Sequence, residues 1–183
     1  MAIGSASGIS VTDVRTTAEG PAAPLGFEVV KQDGQNNGLQ VWVYVYNDEA
    51  STAFAQGHVI TMDCSETSGQ HQRFHGVLAP ANTSGTPAIL VLGVAQHAIA
   101  AGSYGFILKR GIGEVLAGAG TIQEQTAAGV GSICVDDDGS ASGEAMGSAG
   151  LAAGAEKYNC TIGFSLENAA VADGSLATCY IDV

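Results

Sequence analysis

The chain has 183 residues, which is long enough for one ordinary domain or two small ones and for an apolar core that needs neither metals nor disulfides. Only 13% of the residues are charged while 46% are apolar, so much of the surface is neutral and suited to being covered by neighbouring proteins. The formal net charge is −12 and the six basic residues are scattered apart from one adjacent pair, which argues against nucleic acid as a partner.

The first 26 residues are small and polar, and Gly20, Pro21 and Pro24 punctuate them. This composition favours extended chain over helix, and it predicts an N-terminal arm over residues 1–26 followed by a β-rich body over residues 27–183. The chain start lacks a basic segment followed by an apolar stretch, and no window holds about 18 consecutive apolar residues. We therefore expect neither a secretory signal nor a membrane partner.

The clearest periodic signal lies between residues 27 and 46, where two apolar runs flank a polar turn cluster at residues 32–38. This pattern predicts two strands around a loop. In the second strand the valines share one face, and Trp42, Tyr44 and Tyr46 share the other, because side chains alternate along a strand. The aromatic row is the candidate interface, since Tyr and Trp are enriched at protein contacts. Packing inside a core is the alternative explanation.

The middle of the chain predicts further short strands. Residues 58–64 and 73–78 form two strands joined by a polar loop, and the segment 80–87, which contains two prolines, breaks the chain and is where two subdomains would divide. Between residues 88 and 119, short apolar runs are separated by Gly93, Gly102, Gly111 and Gly113. Glycine at this spacing disfavours helices, so strands alternating with turns are expected.

The last third is rich in small residues and closes with two predicted strands, at residues 160–166 and 176–183. A short apolar run at residues 133–135 precedes a Gly/Ala/Ser-rich stretch at 139–155, where alanine propensity allows one short helix. The predicted fold class is therefore all-β, an antiparallel sandwich or barrel with an extended N-terminal arm and at most one short helix.

Candidate metal ligands are weak. The acidic run Asp136–Asp138 with Ser140 lacks the spacing of a calcium-binding loop and fits an exposed turn. His71 and His75 are four residues apart, yet they lie near a predicted strand and lack a third ligand at a known spacing. We expect no metal site and no other cofactor.

Catalytic motifs are also lacking. Ser103 lies in a Gly-Ser-Tyr-Gly segment that is one residue short of a nucleophile elbow, and the surrounding pattern does not predict the strand, turn and helix that would expose it. Only a polar constellation assembled from distant residues, such as His97 with a carboxylate, would make an enzyme of this chain. We expect no catalytic residues.

Four cysteines, at positions 64, 134, 160 and 179, are widely spaced and form no C-x-x-C pair. With no histidine at zinc-ligand spacing, the sequence predicts buried free thiols in a protein made inside the cell.

The segment 91–111 contains a Gly-Val-Ala strand, a turn with Ala-Gly-Ser-Tyr-Gly, and an aromatic and aliphatic strand ending at glycine. This segment resembles a pattern in virion structural proteins of tailed bacteriophages. The closing residues are similar in the same way, with Gly-Phe-Ser-Leu-Glu-Asn-Ala at 163–169 and Tyr-Ile-Asp-Val at 180–183. The resemblance covers roughly the second half of the chain.

This resemblance implies a head decoration, or cement, protein that binds the outer shell of a phage capsid and stabilises it. The implied partners are the major capsid protein and further copies of the chain, as a trimer or dimer. The implied location is the capsid surface of the virion, after assembly in the host cytoplasm. A tail, fibre or receptor-binding component of the virion is the alternative, because residues 1–85 carry no such resemblance.

Overall fold

A computed structural model of the chain describes residues 9–32, 38–63, 74–80, 90–118, 122, 131–135, 141–147 and 161–183. This part contains eleven strands and no helix, which confirms the all-β class. The strands are β1 (Arg15–Thr16), β2 (Glu28–Gln32), β3 (Leu39–Asn47), β4 (Val59–Met62), β5 (His75–Leu78), β6 (Val91–Val94), β7 (Ser103–Leu116), β8 (Ser132–Val135), β9 (Ala145–Gly147), β10 (Thr161–Ser165) and β11 (Leu176–Asp182). The acidic run 136–138 with Ser140, His71, Cys64, Cys160 and the short helix allowed near 149–155 lie outside the described residues.

Five strands form a closed barrel in the order β3-β5-β4-β6-β7, and β7 pairs with β3 to complete the ring. Four of the five pairings are antiparallel, and β3 with β5 is parallel. Closure leaves these strands with no free edge, which is how many all-β proteins avoid unwanted pairing.

The barrel interior is filled by the apolar side chains that alternate inward along its strands. Val43 and Val45 point inward from β3 and Ile107 from β7, and each is at most 1% exposed. The residues between them point outward, as strand geometry requires. The cluster inside the barrel consists of Val43, Val45, Phe54, Ile60, Leu92, Ala95, Ile99 and Ile107.

A second sheet continues from the barrel because β7 is 14 residues long and belongs to both. Its first half pairs with β3, and its second half pairs with β11 from Arg110 to Leu116. The sheet runs β7-β11-β10-β8-β9, and a parallel bridge between Ala117 and Ala145 brings β9 back to the end of β7. A second apolar core lies within this sheet, with Val115, Ile133, Ile162, Ala177, Cys179 and Ile181 among its fully buried members.

The prediction that glycines separate short strands between residues 88 and 119 is wrong for Gly93, which lies inside β6, and for Gly111 and Gly113, because both lie inside β7. Gly111 has a φ of 121°, and a side chain there would approach the carbonyl oxygen of Leu39 to 3.0 Å. Its lack of a Cβ lets β7 pass close to β3 at the point where its pairing changes from β3 to β11.

The described part of the predicted arm, residues 9–26, packs on the outside of the chain's own barrel. Val11 and Ala23 are buried in the same core as Trp42. The two residues of β1 pair with Ser103 and Tyr104 of β7. The backbone N–H of Ala22 in this segment donates to the Tyr44 hydroxyl at 3.0 Å.

The proline-containing segment 80–87 lies mostly outside the described residues, but the strands on either side of it are paired with each other. Thr61 of β4 lies opposite Val91 of β6, and Val59 lies opposite Val94. The chain therefore returns to the same barrel after this segment.

Candidate interaction surface

The aromatic row of β3 is the predicted interface, and two of its three members are buried within the chain. Trp42 is 6% exposed and Tyr44 is 1% exposed. Trp42 donates its indole N–H to Oε1 of Gln40 at 3.3 Å, and the Tyr44 hydroxyl accepts the backbone N–H of Ala22 at 3.0 Å. The indole N–H and the phenol hydroxyl therefore both have hydrogen-bond partners within the chain, and little of either side chain is left exposed. The alternative, core packing, accounts for both side chains.

Tyr46 is the partly exposed end of the same row. Its ring centre lies 4.9 Å from that of Tyr104 and 4.8 Å from that of His75. His75 Nδ1 lies 3.1 Å from a carboxylate oxygen of Asp48. The imidazole of His75 and the carboxylate of Asp48 therefore lie next to the Tyr46 end of the row. An interface role for Tyr46 stays a prediction.

Burial raises the pKa of the Tyr44 phenol above its ordinary value. Burial also raises the pKa of Tyr46, and the nearby carboxylate of Asp48 adds to that effect. Both hydroxyls therefore remain neutral at physiological pH, and the row carries no negative charge of its own.

The sequence interpretation missed a second aromatic pair, on the outer face of the second sheet. Phe164 of β10 lies directly opposite Tyr180 of β11, and they are 43% and 37% exposed. Tyr180 in turn lies opposite Ile112 of β7, and Phe164 lies opposite Ser132 of β8. Residues opposite each other share a face, so these four form a row across four strands. We call Ser132, Phe164, Tyr180 and Ile112 the outer aromatic row.

Polar and charged groups flank the outer aromatic row. Asp182 follows Tyr180 on the same face of β11 and bonds the Arg110 guanidinium at 2.7 Å. On the other side, Thr178 lies opposite Glu114 and donates its hydroxyl to that carboxylate at 3.4 Å. An apolar centre with a polar rim is the composition of protein–protein interfaces.

A signal for the outer aromatic row is present in the sequence of β11. Ala177, Cys179 and Ile181 alternate as the buried face, and Tyr180 falls on the opposite, solvent-facing phase between Thr178 and Asp182. A large aromatic residue in the polar phase of an amphipathic strand marks an exposed contact residue.

The other candidate residues are not brought together. Ser103 is 4% exposed at the start of β7, and no histidine side chain is hydrogen-bonded to it in the described part of the chain. Both ring nitrogens of His97 are buried without a hydrogen-bond partner. Burial lowers the pKa of His97, which therefore remains neutral at pH 7.

Two of the predicted buried thiols are confirmed, since Cys134 and Cys179 are buried and not in a disulfide. Burial, with smaller contributions from Glu167 and Glu114, raises the pKa of Cys179 to about 12. A thiol with this pKa is almost entirely protonated at neutral pH and is a poor nucleophile.

Within the ranges given above, no three His, Cys, Asp or Glu side chains are grouped so that they could hold a metal ion. Those ranges also hold no helix with the length and apolar character that a membrane crossing requires. No protein-family model, curated protein or solved structure matches this chain.

Proposed function

We propose that this protein is a virion structural protein that decorates the outer shell of a tailed-phage head and stabilises it. The observation that supports a binding role most directly is the outer aromatic row, where Phe164 and Tyr180 are exposed side by side within a polar rim. The choice of a capsid as the bound surface comes from the resemblance of segment 91–111 and of the closing residues to phage virion proteins.

The fold suits a protein that acts by adhesion. Its barrel interior is occupied by fully buried side chains such as Phe54, Ile60 and Ile99, so the body presents a stiff scaffold to a partner. Side chains held on paired strands lose little further freedom when they bind, which lowers the entropic cost of association. A decoration protein that binds only the assembled shell stabilises that shell by mass action.

The outer aromatic row fits this role better than the row on β3. Aromatic anchors contribute most to binding when they are exposed in the free protein and buried in the complex. Phe164 and Tyr180 meet the first condition, whereas Trp42 and Tyr44 are already buried within the chain. The proposed contact with the major capsid protein is therefore centred on β10 and β11.

The test is binding of the purified protein to heads assembled from the major capsid protein of its source phage. We expect the protein to sediment with expanded heads and to raise the temperature at which these heads come apart. The double variant Phe164→Ser/Tyr180→Ser should bind at least about 30-fold more weakly, because two anchors of about 1–2 kcal/mol each are lost.

Leu90→Ser is the matched control, since Leu90 is an exposed apolar residue at 54% and lies away from β10 and β11. It should bind heads as the unaltered protein does. Failure of the unaltered protein to bind heads would contradict the decoration role. Binding to host cells or glycans instead would identify the receptor-binding alternative.

A further inference from the structure

Among the strands that the structure describes, β2 has a free edge. β2 pairs with β3 on one side, and it stands at the end of the strand order in the described part of the chain. Four of its five residues are exposed. A free strand edge of this kind is a template for pairing with another strand.

The direction of the β2 backbone groups follows from one hydrogen bond next to the strand. The backbone N–H of Tyr44 donates to the carbonyl of Phe27 at 2.9 Å, so Phe27 directs its carbonyl toward β3. Hydrogen-bonded residues alternate along an antiparallel pair, so Val29 and Lys31 also bond β3. The N–H and C=O groups of Glu28, Val30 and Gln32 therefore point outward, toward the free edge.

Aliphatic side chains stand on one face of this edge. Val30 is 47% exposed and lies directly opposite Val41, which is partly buried. Leu39 is diagonal to Val30 on the same face and is 65% exposed, more than any other large apolar residue that the structure describes. Apolar side chains beside unpaired backbone groups are the combination that strand addition uses for affinity and specificity.

The charges that usually protect a strand edge are weakened here. Glu28 forms an ion pair with Lys109, at 2.6 Å between the charged atoms, within the same chain. The other charged residue of β2 is Lys31, which forms no ion pair with any residue that the structure describes. Natural edge strands normally rely on such charges, especially lysine, to prevent pairing.

We propose that β2 is a self-association edge, at which two copies of this chain pair their β2 strands antiparallel about a two-fold axis at Val30. In this register Val30 faces Val30 of the second copy, and Glu28 faces Gln32 of the second copy. All three outward-facing residues of each strand then form ladder hydrogen bonds. The proposal does not depend on capsid binding, because it concerns a different strand and a different partner.

The second copy is the occupant that the strand's own pattern fits. An isologous contact must be self-complementary, and the outward positions 28, 30 and 32 are symmetric about Val30. Val41, Val30, Val30 of the second copy and Val41 of the second copy would form one continuous aliphatic row. Lys31 lies on the opposite face and meets Val29 of the second copy, so no like charges oppose each other.

A single five-residue strand pair is smaller than a standard stable interface, so the dimer should be weak and reversible. We expect a dissociation constant between about 10 μM and 1 mM. Added salt should tighten the dimer, because each chain carries a formal charge of −12 that screening reduces.

Sedimentation equilibrium over this concentration range, with the full chain, tests the proposal. Val30→Pro removes an outward N–H without touching a bond to β3, and it should weaken dimerisation at least about 10-fold. Val14→Ser changes an exposed valine (37% exposed) next to β1, which pairs with β7, and should leave dimerisation unchanged. A chain that stays monomeric throughout, or a Val30→Pro dimer of unchanged affinity, would overturn the proposal.

A charge exchange at Val30 tests the register itself and does not depend on how proline is tolerated. Val30→Lys and Val30→Glu should each be monomeric alone, since the two-fold axis places like charges opposite each other. Mixed in equal amounts, they should form a heterodimer. Absence of that heterodimer, when both variants are folded by circular dichroism, would exclude a two-fold axis at Val30.

Discussion

At the scale of single residues, the most unusual group is His97, whose two ring nitrogens are buried without hydrogen-bond partners. His58 is also held neutral, because burial lowers its pKa and its Nδ1 accepts the backbone N–H of Ala55 at 3.1 Å. In the folded state a charged imidazolium at either position would be buried away from water, which is unfavourable. Their protonation should therefore oppose folding.

The pH dependence of stability follows from the lowered pKa values. Unfolded histidine titrates near pH 6.5, so below that pH the unfolded chain binds protons that the folded chain does not. The free energy of unfolding should be highest above about pH 7 and should fall as pH drops through 6.5 toward the folded pKa values. Urea denaturation followed by circular dichroism from pH 8 to pH 5 measures this slope.

The His97→Leu variant isolates the contribution of one ring. It should flatten the fall below pH 7, and it should raise stability at pH 7.5 by about 1 kcal/mol because two unpaired polar atoms leave a buried site. His75→Gln, which alters a partly exposed ring bonded to Asp48, serves as the comparison. A His97→Leu protein with the original slope would show that His97 is accessible to protons in the fold.

At the scale of elements, β3 shows how two opposite faces of one strand can both be buried. Val43 and Val45 fill the barrel, while Trp42 and Tyr44 belong to the other core, which also contains Val11 and Ala23. Tyr44 and Phe106 are 4.7 Å apart between ring centres, which adds an aromatic contact to the area buried. The strand is therefore central to both cores.

Trp42→Ala should cost about 3–5 kcal/mol of unfolding free energy, as for other buried aromatic residues. Phe164→Ala is the matched control, because it removes an aromatic side chain that is 43% exposed, and it should cost less than about 1 kcal/mol. Urea denaturation followed by circular dichroism compares the two. A folded Trp42→Ala protein of unchanged stability would refute the core assignment.

The strands with strong alternation were predictable from the sequence, and β2, β3, β10 and β11 begin within one residue of their predicted starts. β1 and β9 are two and three residues long, too short to give a periodic signal, and they were missed. The glycine pattern predicts a break within β7, at Gly111 and Gly113, where the structure has one continuous strand. Local glycine propensity cannot show that a neighbouring backbone requires a close approach. The hydrogen bond from the Ala22 backbone to the Tyr44 hydroxyl is a long-range contact that no local pattern encodes.

At the scale of the whole molecule, the barrel and the second sheet are joined by more than the shared strand β7. The backbone N–H of Val59 in the barrel donates to the carbonyl of Gly143 at 2.8 Å, and the N–H of Gly143 donates to the carbonyl of Ala79 at 2.7 Å. The N–H of Leu116 donates to the carbonyl of Gly57 at 2.9 Å. Loss of either sheet would leave these backbone groups unpaired, so the two should unfold together.

This coupling predicts a single unfolding transition, which two local probes can test. Trp42 is the only tryptophan and lies on the barrel strand β3, where it packs in the core shared with the second sheet. Cys179 is fully buried on β11 of the second sheet, and its thiol becomes reactive only on opening. Tryptophan fluorescence and peptide-resolved thiol labelling of Cys179 should give the same urea midpoint. Ile181→Ala removes a buried side chain from the second sheet and should lower the unfolding free energy by about 2–5 kcal/mol. Both urea midpoints should therefore fall by the same amount. Labelling of Cys179 before the fluorescence changes would mean that the second sheet opens on an intact barrel, and that β7 does not transmit stability between them.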